Sequence, residues 1–158
     1  MDTIREVQDS LTTQTYLLMP GHMNSAGVLF GGQLLMWIDS MAGIVGLRHA
    51  DSQVVTAAID HLEFRNEAHA GDVLTLEGRV TWVGHTSLEV RVDSWRENKG
   101  AQRVLINRAY LVMVAVNDVN RKPCPVPSLV LRTDEEKAEW DAGEKRNQLR
   151  KQRRKENY

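Results

Sequence analysis

The chain has 158 residues, 42% of them hydrophobic, which is enough for the core of one domain. Its formal net charge of −1 gives no bulk electrostatic case for binding nucleic acid or a membrane surface. The single cysteine, Cys124, excludes an internal disulfide and suits a reducing cytoplasm, and the acidic opening MDTIREVQDS lacks the apolar segment of a secretory signal.

In chain order, LTTQTYLLM is β-prone and ends at the turn signal Pro20-Gly21. A helix is predicted from about Gly31 to Arg48, apolar nearly all round and therefore wrapped by other structure. The stretch Val28 to Leu47 raises the question of a membrane span. Asp39 near its middle costs about 2.5–3.5 kcal/mol on insertion scales, which favours a buried helix with no membrane insertion. Four strand-like runs follow: VVTAAIDHLEF, VLTLEGRVTWV, SLEVRVDSW and RVLINRAYLVMVAV. The third ends before Asn98-Lys99-Gly100, a hairpin signal. One long buried helix and several consecutive strands predict an α+β fold of about five antiparallel strands curled around the helix.

From residue 131 onward the composition changes. Thr133 to Tyr158 is acidic in its first half and basic in its second, an order that favours a helix through the macrodipole. Trp140 and Leu149 are its only large aliphatic or indole side chains, so a surface helix burying little area is expected. The division is thus a folded domain over 7–130 and a charged helical tail over 131–158. The basic residues from Lys145 to Lys155 lack interleaved aromatics, so no nucleic-acid partner is expected.

The segment HMNSAGVLFGGQLLMWID, His22 to Asp39, carries the chemistry. Paired glycines at a helix start, Gly31 and Gly32, let a substrate approach free backbone N–H groups at the positive end of the dipole. Asp39 lies two turns further in, where a lone buried carboxylate is expensive. Oxyanion donors, the Asn24 amide and an acid are the parts of an acyl-transfer site. Plainer readings exist beside these. Asn24 is also an ordinary turn residue, Asp39 also a partner for Arg48 or a strand hydroxyl, and the glycines also a means of close packing.

The ordered set Asn24, Gly27, Leu29-Phe30-Gly31-Gly32 and Trp37-Ile38-Asp39 resembles the hotdog-fold acyl-CoA thioesterases. The nearer resemblance is to the branch holding bacterial single-hotdog enzymes and mammalian cytosolic tandem ones. It continues through VVTAAIDHLEF, Gly71-Asp72, Val83 to Ser87 and Leu111 to Val116, and ends near RKPCPVP. It implies hydrolysis of acyl-CoA to a carboxylic acid and CoA, with Asp39 as general base or nucleophile and Asn24 orienting water or the thioester oxygen. It also implies that Thr56 lines the site as a hydroxyl donor and that Asn24 and Asp39 meet across a subunit interface. The turn Gly84, His85, Thr86, Ser87 is expected along the pantetheine arm, with Phe64, Arg65 and Asn66 near the same groove. Arg121 and Lys122 are candidates to clamp the phosphates. No metal or other cofactor is implied. A homodimer assembling to a hexamer, in the cytoplasm, is.

Competing chemistries lack their residues. The five histidines show no HxxxH spacing, and neither a GxSxG elbow nor a GxxxxGK[ST] loop is present. A hotdog dehydratase would use a histidine at the helix entrance, where His22 stands. A non-catalytic acyl-CoA sensor would lack the helix acid. His61 and His85 read as packing or turn residues.

Overall fold

The computed structural model describes residues 3–100 and 102–158. In chain order the elements are β1 (Ile4–Glu6), α1 (Val7–Ser10), β2 (Thr12–Leu17), α2 (Gly31–Ala50), β3 (Gln53–Phe64), β4 (Val73–Val83), β5 (Ser87–Glu97), β6 (Val104–Val116), β7 (Ser128–Val130) and α3 (Asp134–Glu156). Five strands form one antiparallel sheet in the order β2-β4-β5-β6-β3, while β1 and β7 form a separate parallel pair. This is the hotdog architecture, a long helix laid against a curled antiparallel sheet. Although β3 and β4 are adjacent in sequence, β3 pairs with β6 and so becomes an edge strand.

The core follows from the helical period. Leu34, Ile38, Met41 and Val45 of α2 recur at three- and four-residue spacing and meet Leu74, Leu76, Val80, Leu88, Val90 and Leu111, all fully buried. The sheet covers only one side of α2. Gly32, Met36, Asp39 and Ser40 lie on the uncovered side and are exposed. The expectation of a helix wrapped all round, with Asp39 buried in it, therefore does not hold within one chain. No helix among the described residues is long and apolar enough to cross a membrane.

The tail forms α3, entered through a capping box in which Thr133 Oγ1 accepts the Glu136 N–H at 3.1 Å. Acids occupy its first turn and Arg153, Arg154 and Lys155 its last, as the dipole favours. It does not simply float on the surface as its low apolar content suggested. Docked across the face of the sheet opposite α2, it closes a set of ion pairs over strand residues. Glu89, whose side chain is wholly buried, accepts both Nε (2.9 Å) and Nη2 (2.8 Å) of Arg146 and the Thr81 hydroxyl at 2.8 Å. Arg150 pairs with Asp60, and the Trp82 indole donates to Glu144 at 2.8 Å. Helix and strand approach so closely that a Cβ on Gly143 would lie 2.8 Å from the Trp82 Cβ. Charged residues hold this helix because each buried charge finds its partner.

Candidate active site

The loop before α2 is built by Asn24. Its Oδ1 accepts the N–H groups of Ala26 (2.9 Å) and Val28 (3.3 Å), and its backbone N–H reaches the Val28 carbonyl at 2.8 Å. Gly27 completes the turn at φ 77°, where an L side chain is strained. The turn reading of Asn24 is thus correct for its oxygen. Its Nδ2 amino group has no protein partner among the described residues and remains free to donate. His22 anchors the same loop: its Nδ1 accepts the Met19 N–H at 3.0 Å, and its ring stands edge-on to Trp37 at 5.0 Å. Trp37 in turn stacks on Tyr16 at 4.3 Å. His22, the residue that dehydratase chemistry would need, is a structural post here.

Leu34 N–H to the Phe30 carbonyl, at 3.2 Å, is the first bond of α2, so the N–H groups of Gly31, Gly32 and Gln33 head the helix without intrahelical acceptors. Two phenyl rings flank them. A Cβ on Gly31 would sit 3.4 Å from the Phe64 ring, and one on Gly32 2.5 Å from the Phe30 ring. The glycines therefore serve close packing and exposed amides together. Beside them lies an apolar cavity of about 290 Å³ lined by Val28, Gly31, Leu34, Phe64, Asn66 and Ile106. Ile106 comes from β6, some forty residues from Phe64, and no local sequence signal marks it as part of this wall.

Asp39 stands on the uncovered side of α2, and the Thr56 hydroxyl of β3 donates to its Oδ1 at 2.6 Å. Thr56 also lies 3.5 Å from the Met113 sulfur. Arg48, the other candidate partner for the acid, is turned away and donates to Thr12 Oγ1 at 2.8 Å. Eight residues separate Gly31 from Asp39, about 12 Å of helix at 1.5 Å per residue. The amides and the carboxylate are therefore not at one reacting carbonyl within a single chain. On the same uncovered side, one turn before Asp39, stands the apolar side chain of Met36, 56% exposed.

The candidate CoA-binding residues divide into four places. Phe64 lies over Gly31, and Asn66 lines the same cavity but spends its side-chain N–H on the Leu105 carbonyl at 2.8 Å. Arg65, one residue on, points away from that groove: it lines a groove on the α3 side of the sheet with Arg108 and Arg146. Alternation along the chain accounts for the difference. Gly84 and His85 lie at the opposite end of α2 from Gly31, in a cavity of about 640 Å³ shared with Ala50, Asp51, Val126 and Pro127. That turn is rigid, since Gly84 N–H meets the Ser87 carbonyl at 2.8 Å and the Thr86 carbonyl accepts Ala115 N–H at 2.9 Å. Arg121, at φ 59°, and Lys122 are exposed in the turn after β6 and touch no carboxylate among the described residues. His61 is exposed, 3.5 Å from Glu63.

Known proteins share this fold. The thioesterase superfamily profile matches residues 26–101. An uncharacterized acyl-CoA thioester hydrolase of Bacillus subtilis is 38% identical over 133 residues, 84% of this chain and 77% of that protein. Among solved structures, an apo hexameric acyl-CoA thioesterase superposes with a TM-score of 0.92 at 41% identity, covering 96% of this chain and 97% of that one. The acyl-CoA hydrolase of Staphylococcus aureus, solved with butyryl coenzyme A and coenzyme A, gives 0.90 at 32% identity over 98% and 94%. Alanine variants of that enzyme have been solved at an asparagine, an aspartate and a threonine. Their spacing, fifteen residues and then seventeen, is that of Asn24, Asp39 and Thr56 here. The chain belongs to the acyl-CoA thioester hydrolases of the thioesterase superfamily.

Proposed function

We propose that this protein hydrolyses acyl-CoA to a free carboxylic acid and CoA, with Asp39 at the reacting centre. The observation that carries the reading is the carboxylate of Asp39 held by the Thr56 hydroxyl on an open, apolar helix face. Thr56 fixes one oxygen by a charge-assisted hydrogen bond and leaves the other to act on water or on the thioester carbon. The hydroxyl of water adds to the carbonyl carbon, the C–S bond breaks, and the proton taken from water leaves with the CoA thiolate. Negative charge that develops on the carbonyl oxygen meets the free amides of Gly31 and Gly32. Donors of this kind are worth about 2.7–4 kcal/mol in other enzymes. The Asn24 amino group positions the water or the same oxygen.

Because helix amides and carboxylate lie two turns apart, the complete site needs two chains. Pairing of β3 edges about a two-fold axis would lay two α2 helices antiparallel and cover Met36, Val55 and Ile59. Asn24 and the Gly31–Gly32 amides of one subunit would then face Asp39 and Thr56 of the other. The Gly84–Ser87 turn of that second subunit would come to the same groove and take the pantetheine arm, and Arg121 and Lys122 are the candidates for its phosphates. A homodimer follows from this pairing, the hexameric neighbour supports its further assembly to a hexamer, and a cytoplasmic location suits the substrate and the single cysteine. Release of free thiol from a panel of acyl-CoA esters by the purified protein tests the reading. Steady turnover on some chain length is expected, and no thiol release from any ester would overturn it.

A further inference from the structure

The apolar cavity beside the head of α2 has a graded wall. Leu34 is fully buried and Ala68 and Ile106 are 2% exposed, whereas Phe64 on the same wall is 52% exposed. The cavity therefore opens at Phe64 and ends against Leu34, Ala68 and Ile106. Of these three, Ile106 is out of step with its strand. Alternation along β6 would place it with Arg108 and Tyr110, which face the α3 side of the sheet. It packs instead in the core with Ala109, Leu111 and Met113.

A β-bulge causes this. Ser94 pairs with Asn107 and Trp95 with Leu105, so Ile106 is an extra residue that no β5 residue opposes. Hydrogen bonds to the end of β3 and the turn after it hold the bulge. Arg65 N–H donates to the Ile106 carbonyl at 2.9 Å and the Asn66 side chain to the Leu105 carbonyl at 2.8 Å. The Asn107 side chain donates back to the Glu63 carbonyl at 2.8 Å. Ile106 is branched at Cβ and stiff at χ1, so a rigid side chain stands on a fixed backbone. Such a wall does not yield to a longer ligand as the exposed Phe64 ring at the mouth can.

We infer that Ile106, turned into this cavity by the bulge, is the stop that limits the acyl chain of the substrate. This rests on the thioesterase reading. Gly31 lines the cavity, so a thioester carbonyl held by the Gly31 and Gly32 amides has the cavity beside it. With the CoA arm leaving along the Gly84–Ser87 turn, the alkyl chain takes the apolar space. At about 30 Å³ per chain group, close to the share of a water molecule in the liquid, the cavity of about 290 Å³ holds roughly eight to ten carbons. Up to that length each methylene gains about fourfold in binding by leaving water. Beyond it the chain meets Ile106 and the gain ends. Medium-chain acyl-CoA esters are thus the substrate class.

Two series of straight-chain probes, from butyl to hexadecyl length, test it on the full chain. Acyl-CoA esters are read by thiol release, and S-alkyl-CoA thioethers, which have no bond to hydrolyse, by calorimetric binding. In the parent, kcat/KM and thioether affinity are expected to rise with length to roughly eight to ten carbons and then to level or fall. Ile106→Ala, which removes the side chain beyond Cβ, should move that limit outward by about two or three carbons. Ala68→Val, which fills the same cavity, should move it inward by about one or two. Turnover on butyryl-CoA, too short to reach Ile106, should stay within about twofold in both, which a general packing defect would not allow. Should Ile106→Ala melt well below the parent, Ile106→Val replaces it, with a shift of about one carbon expected. A limit that moves among the thioethers in a protein that releases no thiol would keep Ile106 as the stop and refute the hydrolytic reading. A limit that stays in place in the folded Ile106 and Ala68 variants, or parental affinity that climbs without a break to the longest chain, would overturn the inference.

Discussion

Thr56 donates its hydroxyl to Asp39 at 2.6 Å across the gap between an edge strand and the uncovered side of the central helix. A carboxylate with two freely rotating oxygens becomes one with a single oxygen committed and the other directed. Replacing Thr56 with Val keeps the shape and removes the donor. We expect kcat/KM to fall about tenfold or more, since hydrogen bonds to charged groups are worth about 1.5–3 kcal/mol. Thr56→Ser should recover most of it. Equal loss in the Val and Ser variants would mean that the residue acts through packing.

The proposed trans arrangement has a counting consequence. In a mixed dimer of Asn24→Ala and Asp39→Asn chains, one site collects both defects and the other is complete. Random exchange should therefore restore about a quarter of the parental thiol-release rate, since half the dimers are mixed and each has one good site. Demonstrated subunit exchange with no recovery would place both residues of a site on one chain.

Buried His49 sits near the end of α2 and bonds the Pro127 carbonyl through Nε2 at 3.0 Å, while its Nδ1 has no partner. Burial pushes its pKa below the ordinary 6.5; the Pro127 bond opposes this and Arg5 adds to it. Below about pH 6.5 the unfolded chain binds a proton here that the folded chain refuses, so stability falls as pH falls. Thermal midpoints should drop between about pH 7.5 and 5.5 in the parent and change less in a folded His49→Gln variant. Asp93 acts in a separate and lower window. Burial raises its pKa, but Arg91 and Arg108 outweigh that and hold it below the usual value, so its contribution is lost only below about pH 4.

Arg146→Ala removes the cation from Glu89 and the guanidinium lying 3.7 Å over the Tyr110 ring. Breaking a buried pair from one side costs about 3–5 kcal/mol, and the lower end is expected because α3 can shift to admit water. Truncation after Leu131 should likewise lower the melting temperature by uncovering Trp82 and Glu89. The rate of thiol release per folded site should stay within about threefold, because the groove of Asp39 lies on the other face of the sheet. A truncated protein that stays folded and dimeric but loses hydrolysis would place α3 in the substrate path.

The sequence was most legible where one periodicity ran long. The start of α2 at Gly31 and the span Val73–Val83 of β4 match expectation to the residue. β1 and β7, three residues each, pair only with one another across the chain and carry no period to read. Arg65 was grouped with Phe64 by adjacency, but neighbours along the chain face opposite sides. Asp39 looked buried because the residues around it are apolar, but the sheet covers only one side of α2 and leaves the Asp39 side exposed. The docking of α3 was hidden because apolar content predicts hydrophobic burial, whereas this helix is held by charges paired over sequence separations of 57 and 90 residues.

Asp39→Asn is nearly isosteric and removes only the charge and the proton-accepting oxygen. Its initial rate of thiol release, measured against the parent on the best acyl-CoA substrate with oligomeric state and melting temperature matched, tests the central claim most directly. A fall of at least about a hundredfold is predicted, as for loss of a general base or nucleophile. Near-parental turnover by the folded variant would remove Asp39 from the chemistry and contradict the account.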